Sequence, residues 1–193
     1  MSILQPQRFH RLQHIEGYTY FALFCGCIPL ANWLIGHVGT TCVPNGPCLI
    51  PVWPGILAPS GVLAIGLALV LRDLVQRRLG VTWALGAIAV GAILSGLVAP
   101  VTLIAASVAA FVLSEIADLA VFTPLQRRGL VLAVAASGVV GIAVDSVLFL
   151  FLAFGSLDFL AGQMIGKGWA LLLALPVVHL LRLRDRRLGF PSA

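Results

Sequence analysis

The stretch ASVAAFVLSEIADLAVF, residues 106–122, is apolar almost throughout, yet it carries two acids, Glu115 and Asp118. The two lie three residues apart, so on a helix they point to roughly the same side. A run this apolar belongs in a protein core or in a lipid bilayer. At the centre of a bilayer, an unpaired carboxylate costs about 2.5–3.5 kcal/mol on insertion scales. The presence of two acids in this run therefore requires an explanation.

The composition of the whole chain favours the bilayer. Hydrophobic residues make up 60% of the chain, charged residues 10%, and the mean hydropathy is +1.06. A soluble domain would have roughly a quarter of its residues charged. We predict an all-α integral membrane protein with a single transmembrane domain over residues 1–193. No cleavable signal peptide is expected, because residues 1–17 are polar.

Six transmembrane helices in one bundle are predicted from runs of about 20 apolar residues. The predicted spans are about 18–36, 60–79, 82–99, 101–123, 130–152 and 159–181. Apart from Arg72 and Lys167 inside the spans, the basic residues lie at alternate ends of the spans, and the other three connections contain none: Arg8, Arg11, Arg77, Arg78, Arg127, Arg128, Arg182, Arg184, Arg186 and Arg187. This alternation follows the positive-inside rule and predicts that both termini are cytoplasmic. The net charge of +5 is thus explained by topology, and no nucleic-acid partner is expected.

Four cysteines fall in two settings. Cys42 and Cys48 lie in a Pro- and Gly-rich loop predicted to be exoplasmic, where they form either a disulfide or two reduced thiols. Cys25 and Cys27 lie inside span one and read as small packing residues. No metal site is expected, because no His or carboxylate cluster accompanies these cysteines, and no cofactor is expected either.

Opposite charges inside the spans are matched in depth. At a rise of about 1.5 Å per residue, Arg72 and Glu115 both lie roughly 10–12 Å from the cytoplasmic edge. Asp145 and Lys167 lie at a similar depth from the outer edge. We predict two pairs, Arg72 with Glu115 and Asp145 with Lys167. The inner pair can be joined by Asp73 and Asp118.

Small residues repeat at helical spacing beside several of these charges. The repeats are Ala106, Ala110, Ser114 and Asp118; Ser137, Gly141 and Asp145; Gly162, Gly166 and Ala170; and, without charge, Ala87, Gly91, Ser95 and Ala99. Small residues let helices approach closely in lipid, so the neighbouring charges are expected to face protein. They are either static ion pairs or the lining of a polar cavity on a solute pathway. Gln163, one turn from Lys167, and Asn32 on span one are further candidates for such a cavity.

Four segments, in this order, resemble the VUT family of queuosine precursor transporters. They are LRDLVQRRLG, ASVAAFVLSEIADLAVFTPLQRRG, SGVVGIAVDSVLFLFLAFG and GQMIGKGW. The resemblance is close over residues 60–170 and loose over the N-terminal span. It implies a six-helix transporter of the inner membrane, related in fold to the substrate-binding subunits of energy-coupling-factor importers. It also implies uptake of 7-cyano-7-deazaguanine and 7-aminomethyl-7-deazaguanine. The positions carried over by motif are Arg72, Asp73, Ser114, Glu115, Asp118, Asp145, Ser146, Gln163 and Lys167.

Two other kinds of function are a different mode of transport and proteolysis within the membrane. The alternative within transport is the substrate-binding subunit of an energy-coupling-factor importer for a vitamin-like or nucleobase-like solute. Such a subunit needs an ATPase module, whereas a transporter of queuosine precursors that acts alone does not. An intramembrane Ser protease needs a His base within the membrane, but His10, His14 and His37 lie outside the spans and His179 lies near the end of the last. The H-E-x-x-H motif of zinc proteases is missing, so no enzyme is expected. A homo-oligomer is left open.

Overall fold

Six α-helices dominate the computed structural model, which describes residues 6–44 and 46–188, with side chains from residue 10 onward. The Arg8 side chain of the topology prediction lies outside these residues. The helices are α1 Pro6–His37, α2 Val62–Leu79, α3 Val81–Val98, α4 Ile104–Leu125, α5 Leu130–Phe154 and α6 Leu160–Leu188, with a 3-10 turn at Val101–Leu103.

Five of the described helical segments are long and apolar enough to cross a membrane: His10–His37, Val81–Val98, Val101–Leu125, Leu130–Phe154 and Leu160–Leu188. This agrees with the predicted class of all-α membrane protein. The helix outside this set is α2, whose 18 residues include four charged ones. The count of six spans and the cytoplasmic location of both termini stay predictions.

Helix α2 is nevertheless the centre of the bundle. It contacts each of the other five helices, and 13 of its 18 residues are buried. Its low hydropathy arises from Arg72, Asp73, Arg77 and Arg78, of which the first two are at most 1% exposed. A helix surrounded by protein can carry such charges because neighbouring side chains, rather than lipid, provide its partners.

Two apolar clusters pack on opposite sides of α2. One joins it to α4, α5 and α6 through Leu69, Val70, Phe122, Leu130, Ala133, Val134, Ile142, Leu171 and Val178. The other joins it to α1, α3 and α4 through Phe24, Cys27, Ile28, Ala68, Leu71, Ala87, Ile88 and Phe111. Residues 68–71 of α2 contribute to both clusters, and the buried residues Arg72 and Asp73 follow directly after them on the same helix.

The first and last helices are longer than predicted. The polar segment before residue 18 was expected to precede the first span, but α1 already begins at Pro6. Likewise, α6 continues past residue 181 to Leu188. Hydropathy alone misses these extensions because they contain charged residues, and two of these, Glu16 and Asp185, form ion pairs with α2.

The predicted loop between the first two spans contains a small antiparallel sheet, which the sequence analysis missed. Its strands are β1 Thr41–Cys42, β2 Cys48–Trp53 and β3 Ile56–Pro59, in the order β1-β2-β3. Gly55, at φ 76°, forms the turn between β2 and β3, where a side chain would be strained. In this structure a disulfide joins Cys42 to Cys48.

The sheet packs on the beginning of α6. Trp169 Nε1 donates a hydrogen bond of 2.9 Å to the carbonyl oxygen of Val52. A Cβ at Gly162 would lie 2.2 Å from the carbonyl oxygen of Leu57, so only glycine permits this approach. The sheet therefore covers one end of the bundle, and Lys167 lies between the sheet and the middle of α6.

Candidate functional site

Two glycines bring the charged helices together. A Cβ at Gly66 of α2 would lie 2.7 Å from the backbone oxygen of Lys167 on α6. A Cβ at Gly141 of α5 would lie 2.9 Å from Asp118 Oδ2 on α4. The expected small-residue repeats are thus contact surfaces, as the burial of Ala106, Ala110, Ser137 and Gly162 also shows. These close approaches fix the positions of Lys167 and Asp118.

Replacing Gly66 with alanine is expected to displace α6 at Lys167 and to lower stability by about 1–3 kcal/mol, the usual range for overpacking. The matched control is Gly86→Ala on α3, because a Cβ there meets nothing within 4 Å. Alanine is also the better helix former by about 0.5–1 kcal/mol, so the control is expected to be neutral or stabilising. Thermal unfolding of both variants in detergent measures this. Equal midpoints would contradict the close contact.

The first group of buried charges surrounds Arg72, and we call it the Arg72 cluster: Arg72, Asp73, Gln76, Glu115 and Asp118. Arg72 Nε donates to Glu115 Oε2 at 2.9 Å, and Nη1 donates to Gln76 Oε1 at 3.2 Å. Nη2 donates to Asp118 Oδ1 and lies 3.1 Å from Asp73 Oδ1. The four charged side chains are at most 1% exposed. One guanidinium therefore contacts three carboxyl groups away from solvent.

Helices α5 and α4 contribute two further hydroxyl groups that contact this cluster. Ser137 Oγ donates to Asp73 Oδ2 at 2.9 Å. On the α4 side, Gln76 Nε2 donates to Thr123 Oγ1 at 2.9 Å, which orients the amide oxygen toward Arg72. Within the described part of the chain, Asp118 Oδ2 is buried without a hydrogen-bond partner. The cluster is thus crowded with acceptors and short of donors.

The second group, which we call the Lys167 cluster, consists of Lys167, Asp145, Ser146 and Gln163. Lys167 Nζ donates to Asp145 Oδ2 at 2.5 Å, to Gln163 Oε1 at 2.6 Å and to Ser146 Oγ at 3.0 Å. These three bonds use all three N–H donors of the ammonium. The Lys167 side chain is 3% exposed, whereas that of Asp145 is 14% exposed. Asp145 is therefore the most exposed member of the cluster.

Both depth-matched pairs are present, since Arg72 contacts Glu115 and Lys167 contacts Asp145. The sequence analysis offers a polar cavity lined by these charges as one alternative. The two clusters do not form such a cavity, because their charged groups contact each other directly. Two of the candidate residues bond within their own helices instead. Asn32 Nδ2 donates to the carbonyl oxygen of Ile28 at 3.1 Å, and Ser114 Oγ to that of Phe111 at 2.9 Å.

A third group of charges lies at the end of the bundle opposite the sheet, and the sequence analysis did not identify it. Arg78 Nε lies 2.8 Å from Glu16 Oε2, and Arg78 Nη2 donates to Asp185 Oδ1 at 2.7 Å. Arg77 Nη2 donates to Asp185 Oδ2 at 2.8 Å, and Arg184 Nη2 lies 2.7 Å from Glu16 Oε1. The sequence signal for this group is a single acid within each of two basic segments, Glu16 and Asp185. This group links α1, α2 and α6.

Comparison with known proteins gives one family. Residues 97–181 match the family described as "Putative vitamin uptake transporter". The matched segment is less than half of the chain, but it contains Glu115, Asp118, Asp145 and Lys167, whereas Arg72 lies before it. No curated protein and no solved structure matches the chain. The family match supports a multi-pass membrane transporter for a vitamin-like solute, and it names no substrate.

Proposed function

We propose that this chain imports the queuosine precursors 7-cyano-7-deazaguanine and 7-aminomethyl-7-deazaguanine across the inner membrane. The deazaguanine binds at the Lys167 cluster. The observation that carries this proposal is the Lys167 cluster itself, in which an ammonium, a carboxylate, an amide and a hydroxyl meet inside an apolar bundle. Charges within a membrane protein usually mark a solute or ion pathway.

The chemistry of the cluster suits a deazaguanine. The ligand presents an N1–H and an exocyclic amine side by side, and one carboxylate can accept both hydrogen bonds. It also has a carbonyl oxygen, which an ammonium or an amide N–H can contact. In this proposal Asp145 accepts from the N1–H and the amine, while Lys167 and Gln163 donate to the carbonyl or the 7-substituent. Glu115 remains with Arg72, to which it is bonded.

Direct contact between Lys167 and Asp145 is compatible with this role. The ligand would exchange the internal ion pair for charge-assisted hydrogen bonds, with the carboxylate turned to the donor edge and the ammonium turned to the carbonyl. Neither charge is then left without a partner at any stage, which matters because an unpaired buried charge is costly. Asp145, with 14% of its side chain exposed, is the group that a ligand meets first.

Uptake of labelled 7-cyano-7-deazaguanine into proteoliposomes that contain this chain alone tests the proposal. We expect saturable uptake that unlabelled 7-aminomethyl-7-deazaguanine inhibits and that adenine does not. Asp158→Asn, in the exposed loop where Asp158 contacts Ser156, serves as a control with unchanged uptake. Binding without uptake, restored by an added ATPase module, would favour the energy-coupling-factor alternative. Absence of both binding and uptake would overturn the proposal.

A further inference from the structure

The Arg72 cluster has an imbalance of charge that its ion pairs do not remove. Asp73, Glu115 and Asp118 share one cation, Arg72, and each of these side chains is at most 1% exposed. If all three carboxyls were ionised, two negative charges would remain uncompensated in the bundle interior. Buried charges of this kind are rare unless they are paired or neutralised.

Two of the three carboxyls are placed to share a proton. Asp73 Oδ1 and Asp118 Oδ1 approach the same nitrogen, Arg72 Nη2. Two ionised carboxylates are both acceptors, so two carboxyls that converge on one donor can bond to each other only when one of them carries a proton. In addition, the buried oxygens Asp73 Oδ1 and Asp118 Oδ2 have no hydrogen-bond donor within the described residues.

The surrounding helices offer no further cation to this pair. From α5 the neighbouring groups are the hydroxyl of Ser137 and the carboxyl of Asp145, and Asp145 is bonded to Lys167 of α6. The acid on α1, Glu16, is bonded to Arg78 and Arg184. Helix α3 contains no ionisable residue. Arg72 therefore remains the cation available to three carboxyls among the residues described.

We infer that Asp73 and Asp118 hold one shared proton inside the membrane, and that this proton is the coupling ion of uptake. The coupling half of this inference rests on the transport function proposed above, whereas the shared proton does not. The proton neutralises one carboxyl when it is bound. When it leaves, the two carboxylates repel each other across the contact between α2 and α4, so its loss provides a force for rearranging the central helix.

Infrared spectroscopy of the purified protein tests the shared proton without any substrate. At neutral pH the wild-type protein is expected to show the carbonyl absorption of a protonated carboxylic acid, with a shift in heavy water. Asp118→Asn and Asp73→Asn are each expected to remove it, because the asparagine amide can donate to the remaining carboxylate. Asp158→Asn, in the exposed loop, is expected to keep it. Absence of this absorption in the wild-type protein would overturn the inference, even if the variants fail to fold.

Uptake driven by a pH gradient tests the coupling. With one proton carried per neutral substrate molecule, a gradient of about one pH unit, acidic outside, is expected to drive about tenfold accumulation. In Asp118→Asn the accumulation is expected to disappear, because the shared proton is absent. Accumulation that follows a sodium gradient instead would overturn proton coupling. If the wild-type protein takes up no deazaguanine, the transport proposal fails while the infrared result still decides the shared proton.

Discussion

Replacing Lys167 with methionine is expected to reduce deazaguanine uptake by about 10- to 100-fold. This range corresponds to the loss of charge-assisted hydrogen bonds of about 1.5–3 kcal/mol. Methionine has nearly the length of lysine but no charge, so Asp145, Gln163 and Ser146 lose the donor that they share. Initial uptake rates in proteoliposomes, normalised to the amount of reconstituted protein, measure the effect.

A double variant separates a binding role from a purely structural ion pair. Asp145→Asn combined with Lys167→Met removes both charges, so no unpaired charge remains in the bundle. If the pair only holds α5 and α6 together, the double variant should regain the wild-type rate. For a binding site, we expect its unfolding midpoint to recover while uptake stays as low as in the single variant. Asp158→Asn again provides the control for an exposed acid.

Replacing Arg72 with glutamine is expected to destabilise the protein by about 3–5 kcal/mol, the usual cost of breaking a buried ion pair by removing one partner. Three carboxyls then remain buried with no cation, at the centre of the helix that contacts all others. The readouts are the unfolding midpoint in detergent and the monodisperse fraction after extraction. Raising the proton concentration should partly rescue the variant, because protonation neutralises the three carboxyls.

The control for this variant is Arg128→Gln, since Arg128 lies on the exposed connection between α4 and α5. An exposed substitution of this type usually changes stability by less than about 0.5 kcal/mol. Similar unfolding midpoints for Arg72→Gln and the wild-type protein would show that the cluster adds little to stability.

The charge pairs could be predicted from sequence for a simple geometric reason. Helices that cross a bilayer are constrained in length and direction, so the number of residues from a span end gives the depth of a side chain. Depth alone matches Arg72 with Glu115 and Lys167 with Asp145. It could not give the closed geometry of each cluster, which depends on rotamers and on the close contacts at Gly66 and Gly141.

Other features could not be predicted from depth because they depend on which of several local hydrogen bonds or strand pairings forms. The amide of Asn32 bonds its own helix, as polar side chains often do when a backbone carbonyl is within reach. The β-strands lie within a segment rich in Pro and Gly, which gives little periodic signal. Their register places Cys42 opposite Cys48. Glu16 and Asp185 lie outside the apolar runs, so a search of the spans does not include them.

The two ends of the bundle differ in charge. Between residues 38 and 61, which include the sheet, the chain carries no charged residue. At the other end, Glu16 and Asp185 hold Arg78 between the first and last helices, and the Arg184 side chain is 40% exposed. Dissolved ions screen the partly exposed pair of Arg184 with Glu16, but they hardly affect buried pairs or apolar contacts. If solute leaves by that end in the transport proposed above, ionic strength on that side should change the rate of release through the Arg184–Glu16 pair, whereas the uncharged sheet end should be largely insensitive to it.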